Sequence, residues 1–490
     1  MGALAAVVGK RCTNISDVLI LMLQTLEHRG VSACAVAMPD QITMKENLQQ
    51  LKQESIEASA LIGQNSYDIL PTDEAQLILE NNFSFALEGR LFPTISRSEL
   101  ESIIQDLEHN RDKSTHLIRE LSGDYVFAIN EKNGVVVGRD PIGSCPLYFG
   151  ENKSFSAVAS ERKALWRIGI TQTYPFPPGK SATITQKGFH FKNAKAIKQP
   201  CLQKITMKTA VEKLKSTLYH STMERVSDVE NTAIAFSGGI DSSIIAYLAM
   251  QSDSDPHLIY VSMENQEETA FVKRAANALR LPLSFAEYSI EDLEIDLPKV
   301  LWLIEDSSPL QASIAAPLFW AAEQTAKLGF HVLMTGQGAD ELFGGYHIYL
   351  KEYAKHGHDG LQKKIFTDLI SSHERNMQRD NKVCAFNKIE LRMPFVDWET
   401  IHLALSLPTK LKIRSTVDPL RKRILRRLAR EIGVPRFIAE KKKRAIQYTT
   451  GVNKALKKLA KKRRLTLRRY LHGILGEVYS RTKGECLEQR

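Results

Sequence analysis

The chain has 490 residues, 43% of them hydrophobic and 25% charged, with a formal net charge of +10. That is enough apolar material for large cores and for two to four domains, which excludes a disordered or fibrous chain. No apolar run reaches bilayer length, and the opening MGALAAVVGK lacks the charged start and long apolar core of a signal peptide; Ala6 stands where an N-myristoylation pattern wants Ser or Thr. Six scattered cysteines, Cys12, Cys34, Cys145, Cys201, Cys384 and Cys486, contain no C-x-x-C pair, so neither a zinc site nor a disulfide framework is indicated and a reducing cytoplasm is the expected compartment.

Residues 1–195 carry short β-like runs such as YVFAI and GVVVG, separated by turns and closed by YPFPPGK, which reads as an α+β domain. A polar stretch, KNAKAIKQP, leads to a second domain over 205–490. There the strand-like runs TAIAF, HLIYVSM and HVLMT alternate with helical patterns such as SSIIAYLAM and ETAFVKRAANALR, the mark of a parallel sheet flanked by helices. The basic excess is local, because Lys441 to Arg469 holds 13 Lys or Arg and no acid. Leucines recur at helical intervals through KALKKLAKKRRLTLRR, so this run is expected to be a solvated surface helix, and nucleic acid is not an expected partner.

Two loops carry the chemistry. SGGIDSS follows a buried strand and opens a helix, placing Ser237, Gly238, Gly239, Ser242 and Ser243 where backbone amides and hydroxyls face an anion. Asp241 repels phosphate by itself and therefore implies a shared metal, magnesium. The loop is not a Walker loop, since the G-x-x-x-x-G-K-[ST] spacing and its lysine are absent. The second loop, TGQGADELFGGY, follows another apolar run and offers Asp340 to the same magnesium ion across neighbouring strand ends. Thr335 and Gly336 begin it.

SGGIDSS is similar to the pyrophosphate signature of the PP-loop ATP pyrophosphatases, and TGQGADELFGGY resembles the matching loop of glutamine-dependent asparagine synthetases. ELRMPFVD, KRILRR and KKKRAIQYTTG look like that family's later motifs, and GRDPIGSCPLYFG, ASERKAL and PFPPG look like the end of its glutaminase-type domain. The resemblance implies an Ntn-hydrolase-like sandwich of the class II amidotransferase type, followed by an α/β PP-loop synthetase domain with a parallel sheet of the adenine nucleotide α-hydrolase-like kind. It also implies ATP and magnesium as cofactors, aspartate and ammonia as substrates, and β-aspartyl-AMP as intermediate. By the same resemblance Ser237, Gly238, Gly239, Asp241, Ser242 and Ser243 hold pyrophosphate, Val261 and Ser262 border the adenine, and a cation among Lys441 to Arg444, either Lys443 or Arg444, meets developing phosphate charge. A homodimer and a separate ammonia-supplying protein are the partners it admits.

The first domain departs from this pattern at its chemistry. The family's terminal cysteine is replaced by Gly2, and Cys12 lies too far in to serve. Its Asn-Gly-Glu becomes Glu88-Gly89-Arg90, which puts an acid where an oxyanion must be stabilised. No arginine stands between Arg29 and Arg90, and Asp112 to His116 does not match the family's Asp-Thr-Glu. Glutamine hydrolysis is therefore not expected. In the second domain Gln337 replaces a Glu and Gln311 an Arg, which bears on the acid substrate and on the proton acceptor. The alternatives are a β-lactam-synthetase-like or other acyl-adenylating ligase, whose catalytic Tyr-Glu pair has no Tyr in TGQGADE, and a non-catalytic or RNA-associated PP-loop protein.

Overall fold

The computed structural model describes residues 2–11, 14–71, 73–107, 110, 112–418 and 420–484. The chain forms two compact units, Met1–Ile197 and Lys198–Arg490. Cys12 and Cys486 lie outside the described residues, while Cys34, Cys145, Cys201 and Cys384 are free thiols. Among the described residues no helix is long and apolar enough to cross a membrane.

The first unit stacks a seven-stranded and a six-stranded antiparallel sheet. Strand Gly2–Gly9 is buried along its whole length, so its alternating side chains feed two cores. Ala3, Ala5 and Val7 pack with Leu19, Met22 and Leu23 of helix Ser16–Thr25, whereas Leu4, Ala6 and Val8 pack with Ala86, Val126 and Ala128 of the other sheet. On the far side Tyr125, Phe127 and Ile129 meet Leu100, Ile104 and Leu117 of helices Arg97–Gln105 and Lys113–Glu120. Helix, sheet, sheet and helix make the expected Ntn-hydrolase-like sandwich.

The second unit is built on a five-stranded sheet in the order Leu283–Tyr288, Asp255–Met263, Asn231–Ala235, Val332–Met334, Glu390–Arg392, with every neighbouring pair parallel. The first strand in the chain is central, so connections leave it to opposite sides and its end is a topological switch point. The loops after Asn231–Ala235 and Val332–Met334 therefore lie side by side. Two strands escaped the sequence pattern. Leu283–Tyr288 is an edge strand and only partly buried, which weakens its apolar signature. Glu390–Arg392 ends in a charge, yet Arg392 is fully buried because Asp228 and Glu390 pair with its guanidinium.

Candidate active site

Gly238 takes a φ of +63°, a left-handed turn that glycine adopts without strain, and Gly239 caps helix Ile240–Ala249 with no side-chain hydrogen bond to its first amides. Those amides are open toward an anion. Ser237 Oγ lies 3.4 Å from Ser242 Oγ and accepts from the Gly239 amide at 3.3 Å, while Ser243 Oγ and Thr335 Oγ1 are buried without a hydrogen-bond partner among the described residues. Asp241 sits in the helix's first turn, and Asp340 and Glu341 in the short helix Ala339–Phe343. The two loops touch through glycine: a Cβ on Gly336 would stand 2.8 Å from Asp241 Cβ, and one on Gly345 would overlap Asp340 Oδ1 and Lys422 Cε. Gly345→Ala is thus expected to lower pyrophosphate release at least tenfold while the far-ultraviolet circular dichroism is kept; an unchanged rate would show that this approach is not needed.

Lys422 Nζ is fully buried between the two acids, 2.6 Å from Asp241 Oδ2 and 2.5 Å from Asp340 Oδ1. Lys443 Nζ stands 2.8 Å from Asp340 Oδ2 and 3.8 Å from Asp241 Oδ2. Burial alone would raise the Asp340 carboxyl, but the two ammonium groups override it and hold it below the usual carboxylate range. Burial likewise opposes the Lys443 charge, and the Asp340 and Asp241 carboxylates more than restore it, so its pKa is raised. Arg426 ties the two lysine-bearing segments together, donating to the carbonyls of Leu420 and Arg421 ahead of Lys422 and to those of Ala439 and Lys441 ahead of Lys443. Arg421 donates to the Gly345 carbonyl at 2.9 Å and locks the same loop to the acidic one.

Lys422 was not among the residues singled out from the sequence, although KRILRR was noted as a motif. Of the two cations proposed from the sequence, the structure brings Lys443 to the acids and turns Arg444 away. Arg444 is largely exposed and pairs with Glu268 at 2.8 Å, beside Lys441, which reaches the same carboxylate at 2.6 Å. Val261 and Ser262 are buried near the end of strand Asp255–Met263, whose last amide donates to the Thr450 carbonyl at 2.8 Å. Gln337 is half-buried in the turn before Asp340. Gln311 Oε1 accepts from Arg379 Nη1 at 2.8 Å, so an arginine stands beside the position after all, on helix Gln378–Phe386. Glu341 accepts from Tyr346 at 2.7 Å and Asn376 at 2.8 Å, and its burial pushes its carboxyl up.

Among the described residues no group of three or more potential metal ligands occurs. The metal question rests on the two aspartates, and Asp241 Oδ1 is buried without a hydrogen-bond partner among the described residues. Further along the basic run, helix Val452–Lys462 buries Leu456 and Leu459 and leaves Lys457, Lys458 and Lys461 exposed, the pattern of a surface helix.

In the first unit a Cβ on Gly2 would overlap the Asn65 carbonyl, so the strand start has no room for a side chain. The Gly2 amide donates to Glu88 Oε1 at 3.2 Å, and its carbonyl accepts from Arg29 Nε at 2.6 Å. Arg29 also faces Glu88 at 3.5 Å and Glu161 at 3.1 Å, and Glu161 pairs with Lys163, all nearly excluded from solvent. Arg90 forms two bonds to Asp73, at 2.8 and 3.0 Å. Asp112 caps helix Lys113–Glu120 and pairs with Lys192 at 2.9 Å.

Comparisons with known proteins agree on both halves. The family model described as asparagine synthase matches residues 213–358 and 351–475, and the one described as a glutamine amidotransferase domain matches 80–167. A Methanocaldococcus jannaschii protein named "putative asparagine synthetase (glutamine-hydrolyzing) 1" is 28% identical over 90% of this chain and 92% of its own. Asparagine synthetase (glutamine-hydrolyzing) 3 of Arabidopsis thaliana is 25% identical over 69% of this chain and 59% of its own. Asparagine synthetase B (glutamine-hydrolyzing) of Escherichia coli is 26% identical over 70% and 63%. With more than half its length matched by the first of those models, the chain belongs to the asparagine synthase family.

Proposed function

We propose that the second unit is an ATP-dependent, AMP-forming ligase that converts aspartate to asparagine through β-aspartyl-AMP with ammonia as nitrogen source, and that the first unit does not hydrolyse glutamine. The observation that carries this reading is the cradle at the switch point, where open helix amides, two aspartates and two lysines converge. The aspartate side-chain carboxylate attacks the α-phosphorus of ATP and pyrophosphate leaves. Lys422, Lys443 and the amides after Gly238 meet the charge that collects on the leaving oxygens. Asp241 and Asp340 supply hard oxygen donors, and the open Oδ1 of Asp241 fits magnesium, which when bound neutralises phosphate charge. Ammonia then attacks the acyl carbon and AMP leaves. Gln337 cannot take a proton, so the nucleophile arrives as neutral ammonia.

The first unit lacks a nucleophile at Gly2 and presents the Glu88 carboxylate where negative charge would have to be stabilised. Asp241→Asn and Asp340→Asn are each expected to abolish magnesium-dependent pyrophosphate release with the fold retained; full release by either would remove that residue from the site. Gly2→Cys is expected to produce no glutamate from glutamine and to lower the unfolding temperature through its clash with Asn65; measurable glutamate would overturn the reading of this unit. One observation favours a second reading, in which the enzyme closes an amide within its own substrate: a Tyr-Glu pair does exist, Tyr346 with Glu341, next to Asp340. Release of AMP together with a cyclised amide product, with no ammonia or other amine added, would support it.

A further inference from the structure

The first unit holds a recess of about 30 Å³ beside the disabled nucleophile position. One water needs about 10–15 Å³ of such space, so the recess has room for a small ion with a water or two. Its walls are dominated by acceptors. Gln64 is 3% exposed, and its Nε2 donates to the Leu87 carbonyl at 2.6 Å, which settles the orientation of the amide. Its Oε1 is left buried with no hydrogen-bond partner among the described residues, and so is Oε1 of Gln76, a second lining residue. The carboxylate of Glu88, 4% exposed, lines the same space. Formal charge points the same way, since Asp68, Asp73, Glu74 and Glu88 face it against Arg90, whose guanidinium is engaged by Asp73.

We propose that this recess binds a single monovalent cation of ammonium or potassium size. A water molecule has two hydrogens to give, whereas an ammonium ion gives four and accepts none, and potassium replaces its hydration shell with carbonyl-type oxygens. Two unpaired amide oxygens and a carboxylate around one small space suit either cation better than water. The buried charges nearby, Arg29 with Glu88 and Glu161, and Lys163 with Glu161, are already paired among themselves and leave the amide oxygens unsatisfied. The site is independent of the ligase chemistry and stands whether or not aspartate is the substrate.

The test uses the full chain crystallised in rubidium chloride, rubidium being close to ammonium in size and locatable by anomalous scattering. A peak bonded to Gln64 Oε1 and the Glu88 carboxylate is expected; water alone at that place would overturn the proposal. In solution, thermal unfolding of wild type and Gln64→Leu is compared in ammonium, potassium and choline chloride at equal ionic strength. Wild type should gain a higher midpoint in ammonium or potassium than in choline, and the variant should lose that gain. Equal gains in both proteins would place the effect elsewhere and contradict the assignment. A gain with ammonium only identifies ammonium as the ligand, and equal gains with both identify a site selected by size.

Discussion

Lys422→Met will lower pyrophosphate release by about 100- to 1,000-fold, the range for loss of one preorganised charge at a site of developing charge. The side chain is fully buried and its amine is the nearest cation to both aspartates. Methionine fills similar volume, so the change removes charge more than packing. It leaves Asp241 and Asp340 facing each other with Lys443 as their remaining ion-pair partner among the described residues, and breaking a buried ion pair costs about 3–5 kcal/mol. Magnesium should partly restore the stability of the variant, whereas activity stays low because the leaving-group contact is gone. Arg444→Ala is the control, and its rate should stay within about threefold of wild type because Arg444 is engaged by Glu268 at the surface. A Lys422→Met enzyme with near-normal turnover would show that the lysine is only a structural counter-ion.

Lys412→Met will stabilise the second unit at neutral pH. Lys412 is fully buried, its Nζ has no hydrogen-bond partner among the described residues, and burial pushes its pKa down to about 7. The unfolded chain keeps the amine near its ordinary value of about 10.4. Between those two values the unfolded state binds a proton that the native state does not, so this group makes stability rise with pH over that window. Below about pH 7 its destabilising contribution is complete. The methionine variant lacks it, and the linkage sets an upper limit of about 4 kcal/mol at pH 7. Urea unfolding followed by tryptophan fluorescence should show the variant clearly more stable at pH 7 and the advantage shrinking toward pH 10. A variant that is less stable at pH 7, or an advantage that does not change with pH, would contradict the reading.

What could be read from the sequence and what could not separate along physical lines. SGGIDSS and TGQGADE were legible because a small-residue turn that opens a helix restricts the residue types, and each follows a recognisable buried strand. Lys422 was not legible as a site residue: it lies 181 positions from Asp241, at a left-handed backbone position just before a helix, and a lysine in a basic segment carries no mark of its partners. The choice between Lys443 and Arg444 was open because adjacent residues in irregular backbone point in different directions, and Glu268 fixes which one leaves the site. Gly2 was legible as standing where the family carries a cysteine, but the contact of its amide with Glu88 joins strands 86 residues apart. Strand Glu390–Arg392 hid behind its charged end.

If the ligase site uses ammonia without help from the first unit, the nitrogen source decides whether asparagine forms. The purified full chain, given ATP, magnesium and aspartate, is assayed for asparagine, AMP and pyrophosphate with ammonium chloride or with glutamine. Asparagine in step with AMP from ammonium, and none from glutamine, is the predicted result. Glutamine-driven asparagine with release of glutamate, or no asparagine from ammonium while ATP is bound, would contradict it.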